Sequence, residues 1–562
     1  MREKGLFRAA PMKKLRAIVY EKYIDNVIYA LGKLGVMHLL DFKERKEEIE
    51  GVETVRPSEP LFKYTNLLSR IDKLIEEFEI PIKEIPSETI SVDLSSLAEE
   101  VDKNVTRIEE EYKKLKDEIQ SLSQKKSQPD LPEKEKALIE LAEKAKEMEY
   151  IEFIEKNGKR LIEMKRKVEV GKKFEETKQF FGKTHKTFVI EGWVPEERSK
   201  EVIKAIEEAA NGFATIEEIE EEEEHIEEPI FFKTPSFLEP FVKLLYAYGI
   251  PLSHEINPVM LMVITFPFVY GIMFADIGHA TIMAIGGILL AIARRQLIKK
   301  GRRMDGILGM VISAGELLAL CGAFGVFWGF IFGEIFGMHE FLGIHLHPIE
   351  IAKIGRETLI GGFTPSEDIM AMFHFAIFVG VCQITLGLIL NLANKLVNRE
   401  FKEAISVILW MWFYNGAAFA FFNYGSTQVL KIDFWIVNPQ FLLIPFILMI
   451  VNETLTRKIE GASHAFMALI ESLSHTVSFG RLLALNLIHA SMGKMFIQMM
   501  GEGPMQILGI LIGTLLALIL EGTIIFVHTL RLHWVEWFSK FYTGGGKKYT
   551  PFEMKGVHVV GI

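Results

Sequence analysis

One arginine lies in the middle of a long apolar segment. Arg481 falls within the residues from Gly461 to Met500, most of which are apolar. A guanidinium keeps its proton under ordinary conditions, so at membrane depth it requires a carboxylate, water or a backbone carbonyl beside it. The solvation cost makes Arg481 the first candidate for a functional residue.

Polar residues lie on both sides of Arg481 at helical spacing. A helix turns by about 100° per residue, which places two serines and an acid near the direction of Arg481 on one side and a histidine on the other. Such a stripe lines an aqueous path, or it forms a polar contact between two helices. The candidates on this segment are Glu471, Ser474, His475, Ser478, Arg481 and His489.

The following apolar segment carries a second stripe, formed by Glu521, His528 and Arg531. Positions seven apart nearly eclipse on a helix, and Arg531 follows His528 at the spacing of one turn. For His475, His489 and Arg531, a hydrogen-bond network that only holds the two helices together is an equally weighted alternative. For Arg481 we favour function, because a buried arginine is a costly way to secure two helices.

Three acids are weaker candidates, for an outer vestibule. Asp276, next to His279, lies at the turn of a tight helical hairpin, where helix capping also explains it. Glu316 and Glu334 fall in the third apolar segment, and Glu334 is predicted to lie near the outer surface. Lining a vestibule and simple solvation explain Glu334 equally well.

Apolar runs long enough to cross a bilayer predict an α-helical membrane protein with eight transmembrane helices. Basic residues follow every second crossing, which predicts that both termini are cytoplasmic. The last two runs exceed the roughly 20 residues needed to span, so we expect two long, tilted or kinked helices. The runs are 258–273, 278–293, 307–336, 369–396, 404–422, 434–451, 461–500 and 505–538.

Charge divides the chain into two parts. Residues 1–230 contain 41 Lys/Arg and 53 Asp/Glu, whereas residues 231–562 are nearly balanced. We therefore expect a soluble cytoplasmic domain over 1–230 and a membrane domain over 231–562. An acidic front part of mixed sign argues against nucleic-acid binding.

The soluble part is predicted to contain two small β-α-β lobes that bracket a long helical arm. The first covers Leu15 to Leu40 and the second Thr187 to Ile219. Between them, apolar residues recur every three or four positions from Leu94 to Leu122, and a second run returns from Leu138 past Met148. This pattern favours an antiparallel coiled-coil arm. A self-contained helical bundle is the alternative.

No motif indicates a cofactor or a metal. The sequence has no phosphate-binding loop, and its two cysteines, Cys321 and Cys382, lie in apolar runs. The glycines from Gly544 to Gly546 are too few for a phosphate loop and predict a flexible tail. We therefore predict no cofactor, no metal and no catalytic site.

Five sequence blocks carry a family resemblance. In this order they make the chain similar, over essentially its whole length, to the large membrane stator subunit of archaeal and vacuolar-type rotary ATPases, called subunit I or subunit a. Gly480 departs from the larger residue or alanine common in that family. The blocks are Glu191 to Pro195, Tyr248 to Pro258, Phe266 to His279, Ser474 to His489 and Leu520 to Glu536.

The resemblance implies a stationary half-channel facing a rotating ring. Arg481 matches the family's essential arginine and Arg531 its second arginine, while Glu521, His489 and His528 match positions associated with ion movement. The carboxylate that meets Arg481 is then expected on a ring subunit, outside this chain.

The resemblance also implies partners and a location. We expect contact with a proteolipid rotor ring of c or K subunits, with peripheral stalk subunits of E and H/G type, and with a central-rotor cap of C or d type. The location implied is the lipid bilayer of an archaeal or bacterial plasma membrane, with H⁺ or Na⁺ as the ion.

The sequence disfavours two other classes of function. A secondary transporter with a regulatory soluble domain often shows paired discontinuous helices in related halves, and no internal repeat is evident. A purely structural anchor is disfavoured by Arg481 together with Glu471 and Glu521, since intramembrane charges are expensive.

Overall fold

Two compact units make up the part of the chain that the computed structural model describes. One unit contains residues 11–229 and 549–562, and the other contains 1–10 and 230–548. The described residues are 8–44, 51–78, 90–94, 96–126, 132–219, 228–232, 234–253, 255–299, 306–341, 344–354, 357–429, 431–457, 460–500, 511–554 and 557–560.

The first unit is built on one antiparallel sheet. Strand β1 (Met12–Tyr20) lies between β6 (Thr187–Pro195) and β7 (Ala214–Ile219) and pairs antiparallel with both. The strands of the two predicted β-α-β elements therefore share a six-stranded sheet, and they do not form two separate lobes. In chain order the elements are β1 Met12–Tyr20, α1 Ile24–Leu34, β2 His38–Leu39, β3 Glu53–Thr54, α2 Glu59–Glu77, β4 Ile90–Asp93, α3 Leu97–Lys126, α4 Glu133–Lys178, β5 Gly182–Lys183, β6 Thr187–Pro195, α5 Ser199–Ala209 and β7 Ala214–Ile219.

Helices α2, α3 and α4 share a second apolar core in this unit. The seam of α3 is buried from Leu97 to Leu115, as its spacing predicts. Ion pairs Lys126–Glu143 and Lys146–Glu118 show that α3 and α4 run antiparallel. The coiled-coil arm remains a prediction, because α2 packs as a third helix against this pair.

Helix α2 was not predicted, although the sequence contains its signals. Ser58 caps it by accepting a hydrogen bond from the Leu61 N–H at 3.3 Å, and Pro60 occupies the first turn. Arg70 then ties α2 to α3 through Glu109 and Asp102, each at 2.6 Å. These two carboxylates raise the pKa of the Arg70 guanidinium.

The C-terminal segment is held by backbone hydrogen bonds in both units. The Gly546 N–H donates to the Ile250 carbonyl at 2.9 Å, and Lys548 forms a β-bridge with Ile230. Within the first unit, the Met554 N–H donates to the Gly32 carbonyl at 2.7 Å. The segment that follows Gly544 is therefore held by hydrogen bonds, and the prediction of a flexible tail is wrong.

The second unit is mostly helical. Five of its described helices are long and apolar enough to cross a membrane: α8 (Ile277–Lys299), α10 (Gly315–Phe332), α11 (Ile369–Val397), α12 (Phe401–Tyr424) and α18 (Leu511–Lys540). The eight predicted crossings stay a prediction, since α7 and α15 are shorter and α16 and α17 are separate helices. The elements are α6 Glu239–Tyr248, α7 Val259–Met273, α8 Ile277–Lys299, α9 Gly306–Ser313, α10 Gly315–Phe332, β8 Glu340–Phe341, β9 Ile344–His345, β10 Ala352–Ile354, β11 Glu357–Ile360, α11 Ile369–Val397, α12 Phe401–Tyr424, α13 Ser426–Val429, α14 Ile432–Val437, α15 Leu443–Arg457, α16 Glu460–Ser478, α17 Gly480–Met500, α18 Leu511–Lys540 and, in the first unit, β12 Val557–Val560.

Glycines bring α8 and α10 into backbone contact. A Cβ on Gly287 of α8 would overlap the backbone of Ala319, and one on Gly322 of α10 would overlap that of Ala284. Small residues allow this close approach, which is a main source of helix association in membranes. The turn that contains Asp276 lies directly before α8.

We predict that Gly287→Ala destabilises the protein, whereas Gly286→Ala does not. The first Cβ has no room, and overpacking costs about 1–3 kcal/mol. At Gly286 nothing lies within 4 Å of the added atom, and alanine is the better helix former. Thermal unfolding in detergent measures both, and equal melting temperatures for the two variants would contradict the packing argument.

Candidate functional site

The helix that contains Arg481 is interrupted immediately before it. α16 ends at Ser478 and α17 begins at Gly480, so the predicted seventh run is kinked at Phe479. The Phe479 N–H donates to the Thr476 carbonyl at 3.1 Å, and the Phe479 carbonyl accepts from the Leu482 N–H at 2.9 Å. Arg481 therefore lies in the first turn of α17.

The ring of Phe479 fixes this kink against α11. It is fully buried, and a Cβ on Gly380 would lie 2.7 Å from it. The absence of a side chain at Gly380 makes room for the ring. Arg481 is thus positioned by a glycine a hundred residues earlier in the sequence.

Arg481 has a carboxylate partner in this chain. Its Nη1 donates to Oε1 of Glu536 on α18 at 3.1 Å, and its Nη2 lies 3.5 Å from Oγ of Ser478. The Glu536 side chain is 1% exposed and that of Arg481 is 22% exposed. The expectation that the partner charge lies only on another polypeptide is wrong for this conformation.

Further polar side chains extend from this pair toward the end of α18. Lys540 is buried, lies 4.0 Å from the exposed Glu471 and sits over the ring of Trp410 at 4.8 Å. His475 is half-buried and lies within electrostatic range of Lys540, Glu536 and Glu471. Of the predicted α16 residues, Ser474 is exposed to the surface. We call Arg481, Glu536, Ser478, His475, Lys540 and Glu471 the arginine cluster.

A second buried cluster surrounds His489. Nδ1 of His489 is hydrogen-bonded to the Glu521 carboxylate, and its ring lies 5.3 Å from that of His279. Asp276 accepts hydrogen bonds from the backbone N–H groups of His279 at 2.8 Å and Gly337 at 2.7 Å. We call His489, Glu521, His279, Asp276 and Glu334 the histidine cluster.

Glu334 joins this cluster through the backbone. Its carbonyl accepts from the Ile277 N–H at 2.9 Å, and its side chain is 1% exposed. Neither carboxylate oxygen has a hydrogen-bond partner among the described residues. Such a group is costly to bury, which favours a functional role over simple solvation.

The structure separates Glu316 from the other two vestibule candidates. Glu316 begins α10, whereas Glu334 follows its end, about 27 Å away at 1.5 Å per residue. Its carboxylate pairs with the buried Arg294 at 3.0 Å, and Arg294 also pairs with Glu239. Glu316 thus neutralises a buried cation at the opposite end of the helix.

The predicted stripe on α18 is divided. Glu521 is buried against His489, while Arg531 is exposed and His528 is half-buried between them in the sequence. Two segments of α18 are π-helical, Ala517–Glu521 and Leu532–Trp537. A π segment changes the rotation per residue, so an ideal helical wheel misplaces the side chains around it. The carboxylates that meet His489 and Arg481 both lie in these segments.

Hydrogen bonds hold the helices that carry the two clusters to their neighbours. On α12, Nε1 of Trp410 donates to Oγ of Ser472 at 2.9 Å, and the Tyr414 hydroxyl lies 2.8 Å from Oγ1 of Thr476. Nδ2 of Asn486 donates to the Ile272 carbonyl at 2.9 Å. These contacts fix α16 to α12 and α17 to α7.

Sequence reasoning missed Glu536 and Lys540. Glu536 falls within the eighth apolar run, where any acid is a candidate partner for a buried arginine. Applying that rule to all acids of the run would have identified it. Lys540 follows the end of that run and gave no such signal.

We predict that Glu536→Gln destabilises the protein more than Glu471→Gln does. Removing the buried carboxylate leaves a largely buried cation without its partner, at a cost of about 1–3 kcal/mol. Glu471 is exposed, and such a change costs at most about 0.5 kcal/mol. Unfolding in detergent gives both free energies.

A double variant isolates the pair. In Arg481→Gln/Glu536→Gln both charges are gone, so the loss should be smaller than the sum of the two single losses. Strict additivity would mean that the ion pair does not exist in the folded protein.

The chain is similar in sequence to known proteins. The chain matches the V-type ATPase 116kDa subunit family over residues 144–342 and 459–554. Both clusters lie within the matched ranges.

Individual relatives are similar over much of the chain. A-type ATP synthase subunit I of Methanocaldococcus jannaschii is 27% identical over 97% of this chain and 74% of its own length. The subunit I of Pyrococcus horikoshii is 26% identical over 66% of this chain and 55% of its own. The V-type proton ATPase subunit a of Schizosaccharomyces pombe is 24% identical over 67% of this chain and 58% of its own. The chain thus spans between about half and three quarters of the length of these relatives.

Proposed function

This chain belongs to the V-type ATPase 116kDa subunit family, and from that premise we propose that it is the stationary half-channel subunit of a rotary ATPase. It passes H⁺ or Na⁺ to and from the carboxylates of a rotating proteolipid ring. It contributes no catalytic site, and ATP is made or consumed on other subunits. The observation that carries the proposal is the Arg481–Glu536 pair at the helix kink, in a polar cluster that is separate from the one around His489.

The two clusters supply the two ends of the ion path. Arg481 and His489 are eight residues apart on α17, or about 12 Å along the helix. The arginine cluster extends to Lys540, at the end of α18 that the basic residues assign to the cytoplasm. The histidine cluster includes the turn at Asp276, which the same rule assigns to the outside. An ion that enters at one cluster must then be carried by the rotating ring to reach the other cluster.

Arg481 is the residue of the arginine cluster that is nearest to His489 along the chain, and it acts as the fixed cation that separates the two ends. An arriving ring carboxylate is favoured in its ionised form by the guanidinium, because an opposite charge within hydrogen-bonding distance lowers its pKa. Glu536 holds the guanidinium in place when no ring carboxylate is present. Each time a ring carboxylate passes, the guanidinium leaves Glu536 and pairs with that carboxylate. A cation at this point repels ions that would leak directly between the ends, where each charge carries about 2.3 kcal/mol per 100 mV.

The exposed apolar faces of α17 and α18 supply the surface toward the ring and the lipid. Ile488 on α17 is exposed, as are Ile519, Ile524 and Val527 on α18. A face of this composition is stable only against lipid or another apolar helix. Arg531, exposed on the same helix, is the second cation available to the ring.

The soluble unit links the membrane motor to the stalks. Along one side of α4, away from its packed seam, large apolar side chains are exposed at spacings of three and seven residues: Leu138, Leu141, Met148 and Ile151. We assign this row to a peripheral stalk subunit of E or H/G type, while a C- or d-type central cap is the further partner. Exposed rows of this kind mark interaction surfaces.

Arg481→Gln should abolish ion pumping, whereas Arg295→Gln should not. Both residues are arginines of the membrane unit, but Arg295 is exposed at the end of α8. The measurement is ATP-driven ion uptake into vesicles that contain the assembled complex, with ATP hydrolysis as a check on assembly. An assembled Arg481 variant that pumps at the normal rate would exclude the proposal.

Leu141→Asp should release the stalk subunits while the ring stays bound. A charge in the middle of the exposed row opposes its burial in an interface. Phe62→Asp, another exposed apolar side chain of the same unit, serves as the control. Copurification followed by mass spectrometry measures both partners, and loss in both variants, or in neither, would argue against this surface.

A further inference from the structure

Three side chains of the histidine cluster converge at one point. A metal-ligating atom from each of Asp276, His279 and His489 lies within 4.8 Å of the other two, and all three residues are buried. They come from the turn before α8, the first turn of α8 and the middle of α17. The sequence predicted no metal, because His489 follows Asp276 and His279 by about 210 residues and no spacing along the chain brings them together.

An unpartnered imidazole nitrogen is the second observation. Nε2 of His489 is buried without a hydrogen-bond partner among the described residues. Such a nitrogen is uncommon, because it has lost its hydration without compensation. Nδ1 of His279 is buried as well, and it lies 3.3 Å from Oδ1 of Asp276.

Neighbouring groups hold these side chains by hydrogen bonds, as is typical of metal ligands. Nδ1 of His489 is hydrogen-bonded to Glu521. This contact orients the ring and leaves the lone pair of Nε2 available to bind a metal ion. Metal-binding histidines almost always have such a carboxylate or carbonyl on the other nitrogen. Backbone N–H groups of His279 and Gly337 hold the Asp276 carboxylate in the same way.

We propose that Asp276, His279 and His489 form a binding site for a divalent transition metal, with Zn²⁺ the best match. Two imidazoles and one carboxylate with a fourth position open to water make a common zinc donor set. Tetrahedral donors at about 2.0–2.1 Å from the metal lie about 3.4 Å apart. Nδ1 of His279 and Oδ1 of Asp276 are already 3.3 Å apart, and the other separations, which are at most 4.8 Å, close by up to about 1.4 Å on binding.

The bound ion would block the ion path. This consequence rests on the proposed function, because it places His489 and Glu521 on the route between the outside and the ring. A metal on Nε2 prevents His489 from turning and adds positive charge beside Glu521. Zn²⁺ should therefore inhibit pumping from the outer side of the membrane.

Binding can be tested without any pumping. The purified protein, carrying an affinity tag without histidines, is titrated with Co²⁺, whose visible absorption reports tetrahedral coordination. We expect one site in the wild-type protein, more than tenfold weaker binding in His279→Ala, and no change in His345→Ala/His347→Ala, which removes two exposed histidines. No tetrahedral Co²⁺ spectrum in the wild type, or an undiminished one in His279→Ala, overturns the site.

The melting temperature of each variant shows whether the variant folds and whether it binds Zn²⁺. Zn²⁺ should raise the melting temperature of the wild type and of the double control, because it binds only the folded state. It should leave that of His279→Ala and His279→Asn unchanged. An equal rise in all variants places the metal elsewhere and overturns the proposal.

Vesicle experiments separate the site from the proposed function. If Zn²⁺ inhibits pumping in the wild type and at least tenfold more Zn²⁺ is needed for His279→Asn, both the site and its place on the path are supported. If Co²⁺ binds as expected but Zn²⁺ leaves pumping unchanged, the site stands and the path through His489 is wrong.

Discussion

The solvation of one guanidinium constrains the whole membrane unit. Arg481 cannot lose its charge, so the fold must supply a counter-ion at that depth. It does so with Glu536, which is almost completely buried and 55 residues later in the chain. The position of α18 against the α16–α17 kink follows from this pair, and α11 follows in turn, because its Gly380 makes room for Phe479.

Departures from regular helix geometry also place the side chains that form these pairs. In an uninterrupted helix, Arg481 would lie in mid-helix, and Glu521 would share a face with Arg531. The kink at Phe479 instead places Arg481 in the first turn of α17, and the π segments of α18 turn Glu521 and Glu536 inward. π segments often mark functional positions, since the unusual hydrogen bonding is maintained only where the altered direction is useful.

The sequence predicted the type of most elements but not the contacts that specify the site. Charge and periodicity indicated the soluble and membrane parts, the strands around Leu15 and Thr187, and the seam of α3. A helical wheel cannot foresee a kink or a π segment, so it grouped Glu521 with Arg531. It could not foresee pairing across distant segments either, and for this reason Glu316 was grouped with Glu334 and Glu536 was missed. Spacing in the sequence does not determine solvent exposure either: Leu138 and Leu141 fit a buried seam by spacing, yet both are exposed on α4.

The two acid–base pairs also constrain how α17 and α18 cross. Arg481 meets Glu536 and His489 meets Glu521, so the helices run antiparallel. The pairs are separated by about 12 Å along α17 but by about 22 Å along α18 if both rise at 1.5 Å per residue. The difference between these separations means that the long Arg481 side chain must reach toward the end of α18 to meet Glu536. Under the proposed function, the ion needs no continuous polar channel through this interface, because the rotating ring carries it from one cluster to the other.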